Sequence, residues 1–144
     1  MQLCSLRWII VYFLLQYIAL ERLESTYKGC SLVANICVYA SQNANQPMAI
    51  IIPHAVHLRL SLNIDSSKTL EDLCRESSVR EHVLKACNAV GRKNGFKQAE
   101  LLETVILTSE EWTPENGLVT AAQKIQRSKI AKTFETEIES VYKH

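Results

Sequence analysis

Lys124 is the residue whose type and setting could do chemistry. It stands in Glu111 to Arg127, EWTPENGLVTAAQKIQR, after the turn-forming run Thr113-Pro114-Glu115-Asn116-Gly117 and just ahead of an amphipathic stretch. A lysine at the end of a loop, before a helix, can aim a compact positive charge at an anionic ligand. A second group of cations, Arg92, Lys93 and Lys97, lies in GRKNGFK, Gly91 to Lys97. It has two readings: a patch for phosphates, or a solvated helix end where cations suit the helix dipole. His54 and His57 are three apart and could share a helix face, but no acidic or cysteine partner is near in sequence. They read as a solvated turn after a strand rather than a metal site. The chain has no Gly-rich phosphate loop, no G-x-S-x-G and no H-E-x-x-H, so the familiar phosphate-loop, serine-hydrolase and zinc-protease chemistries are not indicated.

These residues need a platform. Over 19–28, Leu20, Leu23 and Tyr27 fall on one helical face and Glu21, Arg22 and Glu24 on the other, with Gly29 as the terminator. That places Glu21 and Glu24 in solvent. Ser31 to Ala40 is β-branched and aromatic, Ser41 to Gln46 is a polar turn, and Pro47 to Ile52 is a second apolar strand ended by Pro53, together an antiparallel hairpin. Ser66 or Ser67 is expected to cap a short helix, Lys68 to Arg75. Ser78-Val79-Arg80-Glu81 matches a capping box for a longer one carrying Val79, Val83, Ala86 and Val90 and ending around Gly91 to Gly95. Thr104 to Thr108 is a third strand. Arg127 to Tyr142 is a helix with an Ile130, Phe134, Ile138, Val141 stripe. The expected class is α+β: a small antiparallel or mixed three-stranded sheet with packed helices.

The 144 residues suffice for one domain with a real core, and 47% apolar with 22% charged is ordinary globular composition. A formal net charge of +1 gives no bulk reason to bind nucleic acid, so any phosphate recognition must be local. The five cysteines are odd in number and none are spaced C-x-x-C, which argues against a disulfide framework or zinc site and fits a reducing compartment. Residues 1–16 form an atypical segment with an unbroken apolar run from Trp8 to Leu15, too short to cross a bilayer as a helix. It reads as a targeting segment, a buried strand, or a stretch foreign to the domain that follows. Residues 8–20 could make peripheral membrane contact.

Thr120-Ala121-Ala122-Gln123-Lys124-Ile125-Gln126-Arg127 resembles the C-terminal lysine signature of the adenylate-forming enzymes: Thr four residues before Lys, then an aliphatic residue, then Arg two further on. The flank Trp112-Thr113-Pro114-Glu115-Asn116-Gly117 is similar to long-chain fatty-acid–CoA ligases of the fungal and protist type. Tyr17 to Glu24 resembles the same family's segment after the interdomain hinge, and Ser31 to Pro53 its next hairpin. The resemblance covers about residues 17–142 and marks 17–144 as the C-terminal domain of such an enzyme.

The resemblance implies the C-terminal lid fold and a role in activating a long-chain fatty acid with ATP to acyl-AMP, then transferring it to coenzyme A. Lys124 would be the catalytic cation between carboxylate and α-phosphate, a preorganised contact of a kind that can contribute about 3–4 kcal/mol. Arg92, Lys93 and Lys97 would meet coenzyme A phosphates, if they are not simply a solvated helix end. ATP, Mg and coenzyme A belong to the complete enzyme, and none is expected to bind this chain alone. The implied partner is the missing N-terminal adenylation domain or an equivalent chain, and the implied location is cytoplasmic or at endoplasmic reticulum or peroxisomal membranes. Two departures stand out. Gln123 occupies the position where the wider superfamily usually has Gly, and residues 1–16 do not look like the family's hinge. The alternative is a non-catalytic remnant or an interaction or membrane-associated module that keeps the lid fold.

Overall fold

The computed structural model describes residues 19–40, 46–64 and 67–142. The segment 1–16, nearly all of the stretch 8–20, most of the turn Ser41 to Gln46, and Ser66 lie outside the described residues.

A helix over residues 19–27 (α1) leads into strand β1, Val33–Tyr39, which pairs antiparallel with β2, Met48–Pro53. Three helices follow: α2, Ala55–Leu62; α3, Leu70–Arg75; and α4, Ser77–Lys93. The chain then returns as β3, Val105–Leu107, parallel to β2, and ends with α5, Arg127–Thr133, and α6, Glu135–Tyr142. The sheet is therefore mixed, in the order β1-β2-β3. The expected class and the antiparallel hairpin are both observed.

Period-two alternation in the strands feeds two cores. Ile36, Val38, Ala49, Ile51 and Val105 face one layer, built from α1, α2, α3 and α4. Cys37, Met48, Ile50, Ile52 and Ile106 face the other, closed by Trp112, Leu118, Val119, Ile130 of α5 and Ile138 of α6. Every residue of β2 is buried, as a central strand covered on both faces requires. The first layer holds the helices of the crossover, and the second holds the lysine-bearing loop.

Several local expectations are corrected. Pro53-His54-Ala55-Val56-His57 is not a solvated turn. His54 is the N-cap of α2, its Nδ1 accepting from the His57 N–H at 3.3 Å, and the two rings stack with centroids 4.0 Å apart. The α3 cap is Thr69, whose hydroxyl accepts from the Asp72 N–H at 3.1 Å, so the helix starts two residues after the expected Lys68. No Ser78 capping box forms. The extended Glu76 ends α3 and begins α4 without a side-chain cap, and Ser77 and Ser78 lie inside the helix. The end of α4 at Lys93, with Asn94 as its C-cap, falls where expected, between Gly91 and Gly95, and Gly91 packs closely against Tyr27 and Phe96. The last element is two helices rather than one. Thr133 Oγ1 donates to the Lys129 carbonyl at 2.8 Å, a back-bond that bends helices, and the break falls at Phe134. Backbone bonds from Phe134 to Ile130 and from Ile138 to Phe134 continue across it, so the apolar stripe survives.

Candidate functional site

The loop before Lys124 is built by a few side chains. Trp112 is buried in the second core and fixes the entry. Asn116 then gathers the turn: its amide donates to the Glu111 carbonyl at 2.9 Å, and its Oδ1 accepts from the N–H groups of Thr113 and Leu118, both at 3.1 Å. Gly117 follows at φ +78°, a conformation that excludes most side chains. This is the physical content of the run Trp-Thr-Pro-Glu-Asn-Gly.

Leu118 and Val119 are buried, and from there the chain folds into a small hairpin. Val119 bridges Ile125, the Thr120 N–H donates to the Lys124 carbonyl at 2.8 Å, and the Gln126 N–H donates to the Leu118 carbonyl at 2.8 Å. The Thr120 hydroxyl accepts from the Lys124 N–H at 3.1 Å. The Thr-to-Lys spacing of four thus spans the hairpin tip. Gln123 adopts φ +63°, in the left-handed region. The position where Gly would be expected does ask for Gly's conformation, and Gln accepts it at a cost of about 1–2 kcal/mol.

Lys124 is exposed at the tip. It lines a groove of about 570 Å³ between the hairpin and α1, shared with Glu21 and Ser25 of α1, with Lys28 just after it, and with Gln123 and Ser128. The expected solvent position of Glu24 is wrong. Its residue is 6% exposed, and its carboxylate takes both arms of the Arg127 guanidinium: Nη1 at Oε2, and Nη2 at Oε1 at 2.9 Å. Arg127 Nη1 also donates to the Val38 carbonyl at 2.7 Å, and Glu24 Oε2 accepts from the Val38 N–H at 2.7 Å. Burial disfavours the Arg127 charge, but the bonds to Glu24 more than offset it and hold the guanidinium protonated even above its ordinary range. The signal for Glu24 was in the helix pattern, because residues 20, 23, 24 and 27 form one stripe at i, i+3, i+4, i+7. A carboxylate on that stripe must find a buried partner.

Arg92 and Lys93 lie in the last turn of α4, and Lys97 precedes the short 3-10 turn Gln98–Glu100. All three are exposed, and none lines the Lys124 groove. The fold does not bring them into one site with Lys124. Cys30, Cys37, Cys74 and Cys87 are free thiols. Among the described residues, no three His, Cys, Asp or Glu side chains are grouped to hold a metal ion, and no helix is long and apolar enough to cross a membrane.

No protein-family model matches the chain. Long-chain-fatty-acid–CoA ligase 1 of Schizosaccharomyces pombe is 44% identical over 131 residues, covering 88% of this chain and 19% of the ligase. The chain belongs to the long-chain-fatty-acid–CoA ligase family, matching one segment of it. Ligase 3 of Saccharomyces cerevisiae is 39% identical over 135 residues, with 89% and 19% coverage, and ligase 5 of Mus musculus is 29% identical over 128 residues, with 88% and 19%. The chain thus spans about a fifth of the length of the curated ligases it matches. Among solved structures, the A-PCP didomain of a carboxylic acid reductase from Segniliparus rugosus, in complex with AMP, superposes with a TM-score of 0.71. It is 22% identical, covering 85% of this chain and 16% of that one. The adenylation domain of a Mycobacterium chelonae carboxylate reductase gives 0.69 at 22% identity, covering 86% and 18%. The ligase segment therefore shares its fold with part of these adenylation domains.

Proposed function

We propose that this chain is the C-terminal lid of a long-chain fatty-acid–CoA ligase, with residues 17–144 as the lid domain and Lys124 as its catalytic cation. One observation carries the reading. In a chain 44% identical to a segment of such a ligase, Lys124 stands exposed on a hairpin tied by Thr120, at the mouth of a groove. The chemistry follows from charge. When a fatty-acid carboxylate attacks the α-phosphate of ATP, two anions converge, and an ammonium held between them lowers the barrier. Preorganisation by the hairpin spares the lysine part of the reorganisation this would need in water.

The adenine, triphosphate and fatty-acid sites would come from an adenylation domain beyond the segment described, with coenzyme A entering for the second half-reaction. Arg92, Lys93 and Lys97, away from Lys124, would be available to coenzyme A phosphates only in a different orientation of the lid.

The test is complementation. The full 144-residue chain is mixed with S. pombe ligase 1 lacking its matching segment, and pyrophosphate release from ATP and palmitate is followed with Mg present. Release that needs both proteins, and falls about 10²–10³-fold with Lys124→Ala, supports the reading. Folded chain that restores nothing, or restores the same activity without the Lys124 ammonium, overturns it.

A further inference from the structure

We infer that Glu24 and Arg127 are positioning residues for Lys124, acting as a clamp that sets where the hairpin stands against the sheet. The inference rests on the reading of Lys124 given above.

Only Ile125 and Gln126 separate Lys124 from Arg127, and both are committed to the hairpin, Ile125 by its bridge to Val119 and Gln126 by its bond to the Leu118 carbonyl. There is no slack between the lysine and the guanidinium. Helix α5 has no side-chain cap at Gln126, so the Arg127 fork is the directional tie at its start. That fork reaches Glu24 on α1, 103 positions away in sequence, and the Val38 carbonyl of β1. Glu24 in turn is fixed by the Val38 N–H. The pair therefore ties α1 and α5, which lie in opposite layers, to β1 of the sheet between them.

An apolar contact at this place would serve stability as well or better, because a buried ion pair repays its desolvation poorly. What an apolar contact lacks is direction. Two parallel N–H···O bonds fix both distance and angle. A misplacement of about 1 Å can cost a reaction roughly 10²-fold, so a cation on a loop tip benefits from such a clamp.

The experiment uses the full chain with Glu24→Gln in the complementation assay at saturating chain, together with hydrogen exchange on the free chain. The expected result is a kcat for adenylation lowered tenfold or more with KM for palmitate unchanged. The amides of Thr120, Lys124 and Gln126 should exchange at least tenfold faster, while those of β2 change little. Should Glu24→Gln fail to fold, Arg127→Lys, which keeps the charge and loses the fork, is read in the same way and should give an intermediate fall in kcat. A kcat within twofold of the parent, where Lys124→Ala abolishes activity, overturns the inference and leaves the proposed function standing. If the parent chain restores no activity, the proposed function fails and exchange decides alone. Acceleration confined to the hairpin then supports the clamp, and equal acceleration in β2 overturns it.

Discussion

Thr120 and Lys124 are joined twice across the tip of the hairpin. The Thr120 N–H donates to the Lys124 carbonyl at 2.8 Å, and the Lys124 N–H donates to the Thr120 hydroxyl at 3.1 Å. Thr120→Val keeps the shape and removes the second bond. A typical net loss is about 1 kcal/mol, and here it falls on the loop rather than on the core. Stability by chemical denaturation should fall by up to about that amount, while exchange at the Lys124 amide quickens several-fold. An unchanged Lys124 amide would mean that the hydroxyl does not hold the tip.

Gln123 bears the cost of its φ of +63° locally. Gln123→Gly should remove strain of about 1–2 kcal/mol and return part of it as unfolded-chain entropy, leaving a net gain of a few tenths to about 1 kcal/mol. Gln123→Val should lose stability, since a β-branched residue tolerates that conformation worst. The denaturation midpoints of the three proteins, ordered Gly above Gln above Val, check this.

Gly91 lies within α4, where glycine normally weakens a helix by about 1 kcal/mol relative to alanine. A β-carbon there would come within 3.0 Å of Phe96 Cδ2 and 3.2 Å of both Leu101 Cδ2 and Tyr27 Cε1. Tyr27 cannot retreat, because its hydroxyl donates to the Glu100 carbonyl at 2.7 Å. Overpacking of this kind costs about 1–3 kcal/mol, so Gly91→Ala should lower the thermal midpoint despite its better propensity. A raised midpoint would show that the α1–α4 contact is looser than these distances.

Alkaline pH should destabilise the fold. Burial pushes the Cys37 thiol up to about 12, against the pull of neighbouring Arg127, and pushes Cys74 up to about 11, with Glu71 adding to it. Burial, with Cys87 and Glu100 nearby, also raises Tyr27. Each group keeps its proton in the folded state at a pH where the unfolded chain has lost it. The stability they contribute is therefore whole below the unfolded value, about 8.5 for cysteine, and is lost as pH rises through the folded one. Denaturation midpoints should hold to about pH 8.5 and fall from there towards pH 12. Cys37→Ala should flatten that fall by up to about 1.4 kcal/mol per pH unit. An unaltered slope would rule Cys37 out as a source.

Much of this was readable from residue order, for physical reasons. Ile130, Phe134, Ile138 and Val141 announce the last helical stripe because burial follows the helical period, and all four pack in the second core. The strands show as β-branched runs because they are buried on both faces. Helix α2 gave no such sign. Leu58 is buried and Leu62 half-buried against the first core, but Val56 and Leu60 are 59% and 74% exposed, so its apolar residues fall on two faces and draw no single stripe. The loop was legible through its spacing, Thr120 to Lys124 and Trp112 to Gly117, since each interval is set by a hydrogen bond or a buried anchor. Glu24 carries a charge that suggests solvent, yet its position decides its burial. Its place on the Leu20, Leu23, Tyr27 stripe required a partner, and that partner, Arg127, is too distant in sequence for any local pattern to reveal.

Val38 gives both of its main-chain groups to side chains, its N–H to Glu24 and its carbonyl to Arg127. β1 is an outer strand of the sheet, and these are the groups that an incoming strand would use. At Val38 the charged pair sits in the seat of that strand and satisfies the edge from within the molecule. A protein with strands this rich in isoleucine and valine is thereby guarded, on that side, against edge-to-edge stacking into aggregates.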